Sequence, residues 1–192
     1  MELVEGITCV YGPSATGKTN LCLFTAANAD GKVIFIDTEN TFSAERIREF
    51  NRNADLDRIC LIRADSFMKQ SRAIKELEVL RKVDLVIVDS MTKYYRNALQ
   101  DEGKPTDDLL EQFRALRSLY KKLGCKVLIT SQVYTNQDGK DIAIGGKLVR
   151  DFSKQLVRLS HGNERVLDVE KHPEKGPFKK RFRIETGKVT FF

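Results

Sequence analysis

Gly12-Pro13-Ser14-Ala15-Thr16-Gly17-Lys18-Thr19 lies between an apolar run at residues 7–11 and a helical stretch at residues 20–29. The octapeptide matches G-x-x-x-x-G-K-[ST], and a strand before it with a helix after it is the setting its chemistry requires. Glycine lets the backbone curl until successive N–H groups and the amino end of the helix converge, which makes a cradle for phosphate oxygens. In such a cradle Gly12, Pro13, Ser14, Ala15, Thr16 and Gly17 supply the loop, and Asn20 continues the helix that faces the anion. Lys18 reaches the β- and γ-phosphates, and the Thr19 hydroxyl ligates magnesium. The expected ligands are ATP and Mg2+. The alternative is a chance glycine turn before a helix, and the matching context weighs against it.

Working outward, Val/Ile/Leu-rich runs at residues 7–11, 32–37, 59–63, 84–89 and 126–131 alternate with helical patterns. That alternation is the mark of βαβ units and a parallel sheet covered on both faces, so the fold class is α/β. The run Asp84-Leu85-Val86-Ile87-Val88-Asp89-Ser90 ends a buried strand in an acid, and Asp89 is placed to hold magnesium, through water. The competing reading of Asp89 is a strand cap, and Asp84 reads as a solvated boundary residue. Leu109, Leu110, Phe113, Leu116, Leu119 and Leu123 recur at helical spacing, so a helix is expected over 106–123, with Thr106 as N-cap and Gly124 in the left-handed C′ position. Beyond residue 155 the pattern shortens to alternating pieces at 155–159, 166–170, 181–185 and 189–192, which read as antiparallel strands extending the sheet. No repeat or composition break divides the chain, and residues 1–192 are expected to form one domain.

The chain has 192 residues, 41% of them hydrophobic, and a formal charge of +6. Residues 171–183 hold six Lys/Arg and one Glu, a basic segment that is either a solvated edge or a docking surface. Cys9, Cys22, Cys60 and Cys125 show no metal-binding spacing and are expected as reduced core residues. His161 and His172 lack ligand partners and read as surface residues. No apolar run approaches the roughly 20 residues of a membrane span, and the acidic start, Glu2 and Glu5, is unlike a secretory signal. A soluble, cytoplasmic protein without membrane partners is expected.

The segment Asp37-Thr38-Glu39-Asn40-Thr41-Phe42-Ser43-Ala44-Glu45-Arg46 resembles the D-T-E-G-x-F-x-x-E-R stretch of the RecA/RadA recombinases. Tyr95-Arg96 and Ile129-Thr130-Ser131-Gln132-Val133 resemble that family in order and spacing, and the likeness covers nearly the whole chain. It implies a RecA-type P-loop NTPase core. It also implies Glu39 as the carboxylate that orients and deprotonates the attacking water, Arg46 as a residue stacking on adenine, and Gln132 as a γ-phosphate sensor coupled to the loop after it. Independently, a carboxylate at a strand end beside the phosphate loop can accept a proton from water, and a neutral amide can hydrogen-bond phosphate without cancelling the metal's charge. Simpler readings stand beside these: Glu39 as a polar loop residue, and Arg46 as a surface residue paired to Glu49 or Asp55. Asn40 replaces the family's usual glycine and still tolerates left-handed backbone angles.

The first strand comes within ten residues of Met1, leaving no room for the family's helical N-terminal DNA-binding domain or its inter-protomer linker. A long filament is therefore not expected, and this short architecture is similar to an archaeal paralogue branch of the family. Segments 96–105 and 134–146 occupy the places of the two DNA-facing loops. Arg96, Lys140, Lys147 and Arg150, with Lys154 and Arg158, are candidates to track a phosphate backbone, the alternative being an ordinary solvated face. Tyr94, Tyr95 and Tyr134 either stack on bases or finish the core. The expected function is a weakly hydrolysing, DNA-modulated ATPase that assists recombination and repair beside the main recombinase, with single-stranded DNA and recombination proteins as partners. The alternatives are a nucleotide-gated interaction module with little turnover, or another RecA-fold ATPase such as a KaiC-like or helicase-core protein.

Overall fold

The computed structural model describes residues 2–99 and 105–192. The chain runs β1 (Gly6–Tyr11), α1 (Lys18–Ala27), β2 (Val33–Asp37), α2 (Ala44–Phe50), β3 (Ile59–Arg63), α3 (Phe67–Glu76), β4 (Leu85–Asp89), α4 (Lys93–Ala98), α5 (Pro105–Leu123) and β5 (Lys126–Ser131). A hairpin of β6 (Val133–Thr135) and β7 (Asp141–Ala143) follows, then α6 (Gly146–Phe152), β8 (Gln155–His161), β9 (Arg165–Lys171), β10 (Phe178–Glu185) and β11 (Lys188–Phe191).

The main sheet has the order β11-β10-β9-β8-β1-β5-β4-β2-β3. Strands β1, β2 and β4 are buried at every position, and β5 at every position but Lys126. Such β-branched runs bury both of their faces only where helices cover the sheet on both sides. Leu21, Cys22 and Ile47 bring α1 and α2 onto one face; Ile74, Phe113, Leu116 and Val149 bring α3, α5 and α6 onto the other.

The parallel register aligns the strand ends. Tyr11 stands beside Ser131, and Asp37 beside Asp89. The polar residues that follow these strands therefore meet at one carboxyl edge, where open α/β sheets carry their ligands.

Four expectations need correction. Strand β8 runs parallel to β1, and the antiparallel extension begins only at β9; α6 carries the chain back across the sheet before β8, as a parallel connection requires. Strand β3 is a half-buried edge strand and its Cys60 is exposed, because it pairs on one side only, with β2. Helix α5 is described from Pro105, so Thr106 lies inside its first turn rather than at the cap; proline suits that first position because its missing N–H would have had no helical partner. Asp107 and Asp108 do sit in that turn, and Gly124 takes φ +66° with its N–H donating to Tyr120 O at 2.8 Å. Finally, segment 134–146 is mostly the β6–β7 hairpin rather than an irregular loop, and Arg96 belongs to α4. Of segment 96–105, residues 100–104 lie outside the described residues.

Among the described residues no helix is long and apolar enough to cross a membrane. His161 is exposed and His172 half-buried. Burial pushes the thiol of Cys125 up to about 11 and those of Cys9 and Cys22 well above the ordinary range. Because the thiolate is the reactive form, a disulfide reagent added to the native protein at pH 8 should titrate one thiol quickly, at Cys60, and four in denaturant. Rapid native labelling that survives Cys60→Ser would contradict this placement.

Candidate nucleotide-binding cleft

The phosphate-loop sequence crosses from β1 to α1 with backbone angles that few residues tolerate. Gly12 has φ +155° and Gly17 has φ +104°. A Cβ on Gly12 would collide with the carbonyl oxygen of Leu159, so this turn is set by the neighbouring strand as well as by its own residues. Ala15 also adopts a left-handed φ, +62°. The first helical bond of α1 runs from Leu21 N–H to Gly17 O (3.0 Å), so the amides of Lys18, Thr19 and Asn20 precede the helical ladder and have no partner in it. Lys18 Nζ donates to Gly12 O (2.8 Å) and Pro13 O (2.7 Å), and Thr16 Oγ1 to Pro13 O (2.9 Å). These bonds wrap the loop around the lysine.

A cleft of about 430 Å³ opens over this loop, lined by Gly12–Ala15, Gly17–Asn20, Glu39, Thr41, Asp89, Ser90, Arg96, Gln132 and Val133. Thr16 is buried beneath it. The residues expected to act together are thus brought to one place from β1, β2, β4 and β5.

Asp89 is 1% exposed. Its Oδ1 accepts the Thr130 hydroxyl, while Oδ2 takes no hydrogen bond among the described residues and the Thr19 hydroxyl faces the carboxylate. Burial raises its affinity for a proton above that of an ordinary aspartate, and the Thr130 and Thr19 hydroxyls oppose the shift. Burial also pulls the Lys18 ammonium below the usual lysine range, against the attraction of Asp89 and Glu39. A buried, half-satisfied carboxylate beside a threonine hydroxyl suits a hard divalent cation such as magnesium, which takes few ligands from protein and the rest from water and phosphate.

The loop that carries Glu39 is tied down by Asp37. Its Oδ1 accepts the N–H groups of Glu39 (3.1 Å) and Thr41 (3.3 Å), and its Oδ2 that of Phe42 (3.0 Å). Asn40 takes the expected left-handed conformation, φ +58°. Thr38 staples the loop to the end of β4: its hydroxyl donates to Ser90 O (2.9 Å) and accepts Ser90 N–H (2.7 Å). Glu39 Oε1 then accepts Gln132 Nε2–H at 3.2 Å. Gln132 is held in turn by its own N–H on Thr92 Oγ1 (3.2 Å) and by Ile144 N–H on its carbonyl (2.9 Å), which joins the cleft to the β6–β7 hairpin.

The other expected residues are more scattered. Arg46 is half-buried on α2, outside the cleft lining, with no ion pair to Glu49 or Asp55 among the described residues. Arg96 is in the cleft wall rather than on a separate DNA-facing loop. Lys140 and Lys147 are exposed; Arg150 reaches Glu170 at 3.8 Å. Lys154 sits by Gly6 and Ile7 at the opposite edge of the sheet from the cleft, and Arg158 is engaged by Asp168 (3.2 Å) and Glu170 (3.7 Å). Tyr95 is buried and finishes the core, whereas Tyr134 is 52% exposed on the hairpin. In the basic segment, Lys179, Arg181 and Arg183 pair with Asp168, Glu164 and Glu185. Thr41, Ser90, Thr130 and Lys93 escaped the sequence reading. Thr41, Ser90 and Thr130 stood inside quoted motifs, and Lys93 did not.

The chain matches the Rad51 family over residues 3–190. It is 37% identical over 190 residues to a protein of Methanocaldococcus jannaschii named DNA repair and recombination protein RadB, covering 93% of this chain and 89% of that one. Proteins of the same name from Archaeoglobus fulgidus (37% over 168 residues, 82% of this chain, 76% of that one) and Thermococcus sibiricus (32% over 196 residues, 96% and 82%) are similar to it as well.

Gly12→Ala should lower stability by about 1–3 kcal/mol, the range for a backbone forced into a region open only to glycine. Urea unfolding measures it. An unchanged midpoint would mean that the loop does not need this turn.

Proposed function

The chain belongs to the Rad51 family, and from that premise we propose that it is a weakly hydrolysing ATPase, residues 1–192 forming one ATPase domain. It assists recombination and repair in the cytoplasm. The observation that carries this reading is the convergence of Lys18, Thr19, Asp89, Glu39 and Gln132 on one cleft.

The loop amides and Lys18 hold the phosphates, and Lys18 exchanges its two carbonyl partners for phosphate oxygens. Thr19 and Asp89 would hold magnesium, the unpartnered Asp89 Oδ2 being the free acceptor beside the Thr19 hydroxyl. Magnesium held there would supply positive charge against the charge that develops on the phosphates. Glu39 accepts the proton of the attacking water, and Gln132, bonded to Glu39, donates its amide toward the γ-phosphate. Arg96 faces the same anion from α4. Arg46, on α2 outside the lining of the phosphate cleft, stacks on the adenine beyond it.

The relatives' names speak of DNA repair and recombination. The corresponding partners for this chain are single-stranded DNA and recombination proteins, with the exposed hairpin, through Tyr134 and Lys140, and the start of α6, through Lys147, as the DNA contact. Turnover is slow, because such enzymes commonly take a further cation from a neighbouring subunit. The Gln132-to-hairpin bonds favour one second reading, in which nucleotide binding chiefly reshapes the hairpin and turnover is incidental.

Phosphate release measured with and without single-stranded DNA separates the two. On the ATPase reading, Lys18→Ala abolishes turnover, Glu39→Gln lowers it by about 10²–10⁴-fold with nucleotide binding retained, and DNA changes the rate. Full effector activity in Glu39→Gln would favour the switch instead.

A further inference from the structure

Lys93 opens α4, four residues after the Asp89 strand end, and is not among the residues that line the cleft. Its ammonium nevertheless reaches back across the carboxyl edge to the Glu39 loop. Nζ donates to Thr38 O at 2.7 Å and stands 3.8 Å from Glu39 Oε2. The same ammonium lies 5.2 Å from the centre of the Tyr94 ring. The two side chains of the pair are 30% and 25% exposed, so the link is shielded on most sides and is unlike a fully solvated surface pair.

Glu39 is therefore gripped at both oxygens: the Gln132 amide on Oε1 and the Lys93 ammonium behind Oε2. A carboxylate with one oxygen hydrogen-bonded and the other free can still turn about its terminal torsions, which are broad. A charge at the second oxygen removes that freedom.

We propose that Lys93 is a positioning residue that fixes the direction of the Glu39 carboxylate from outside the cleft, so that Gln132 and the attacking water meet it in a single geometry. The proposal rests on the reading of Glu39 as the group that receives the water's proton. Because Thr38 is stapled to Ser90 and Lys93 lies on the same β4-to-α4 connection, the grip also transmits any movement of α4 to Glu39. Arg96, one turn along α4 and in the cleft wall, is placed to sense the bound anion.

The test uses the full chain with Lys93→Met, which keeps the stem and removes the charge, and Lys93→Arg, which restores it. Lys93→Met should lower kcat about tenfold, a fraction of the 10²-fold that about 1 Å of misplacement can cost. KM for magnesium-ATP should stay within twofold and the melting temperature should stay near that of the parent. Lys93→Arg should recover most of the loss. In a Glu39→Gln background, single-turnover rates should show no further effect of Lys93→Met, since there is then no carboxylate to position. A second readout needs no turnover: the Gln132 side-chain amide signals in nitrogen-15 NMR, assigned by their loss in Gln132→Glu. These should shift in Lys93→Met and return in Lys93→Arg. Unchanged kcat with unchanged amide signals would overturn the proposal, as would an equal loss of rate in the Glu39→Gln background. If the parent chain hydrolyses no ATP, the catalytic reading of Glu39 fails, and the amide signals alone decide whether Lys93 orients it.

Discussion

Everything in the cleft depends on the parallel register of β1, β5, β4 and β2. Tyr11 beside Ser131 and Asp37 beside Asp89 are backbone hydrogen-bonding facts, fixed by burial of both sheet faces. A slip of one residue would turn each strand's side chains to the opposite face, removing Asp89 from Thr130 and Thr38 from Ser90. The sheet interior, with Ile36, Val86, Ile87, Val127, Leu128 and Ile129 fully buried, holds that register in place. The polar edge is thus assembled by apolar packing some distance away.

The edge itself works against stability. Burial raises the proton affinity of Asp89 and lowers that of Lys18, so each group carries its charge at a cost that the other only partly offsets. A structural strand end would more readily use a serine or an asparagine. Pairs of titratable groups displaced in this way are characteristic of sites that bind charged ligands, and a magnesium-bound triphosphate complements both.

The parts of this arrangement legible in the sequence were those with a local signature. Gly12–Thr19 and the acid-ended strand at Asp89 mark themselves by residue type and spacing, and the central strands by their uniform hydrophobicity. The resemblance of residues 37–46 pointed to Glu39, and the structure joins Glu39 to Gln132, a residue 93 positions away. What stayed hidden depends on tertiary direction. Nothing in the order of residues distinguishes β8 as parallel, because an antiparallel strand of the same composition would bury the same face. Lys93 looks like any lysine at a helix start, and only the approach of α4 to the Thr38 carbonyl gives it a partner. Lys154 and Arg158 were grouped with the basic residues near the hairpin by sequence proximity. Helix α6 carries the chain to Lys154 at the far edge of the sheet, and β8 then returns Arg158 to stand beside Tyr11 in an ion-pair network.

On the proposed function, one buried carboxylate and one loop form a single magnesium–nucleotide site. The most direct measurement is calorimetric titration of a non-hydrolysable ATP analogue with and without magnesium, on the parent chain and on Asp89→Asn. One nucleotide per chain is expected, tightened by magnesium in the parent, with that gain lost in the variant while metal-free binding persists. Equal tightening by magnesium in both proteins would contradict it, and would place the metal away from Asp89.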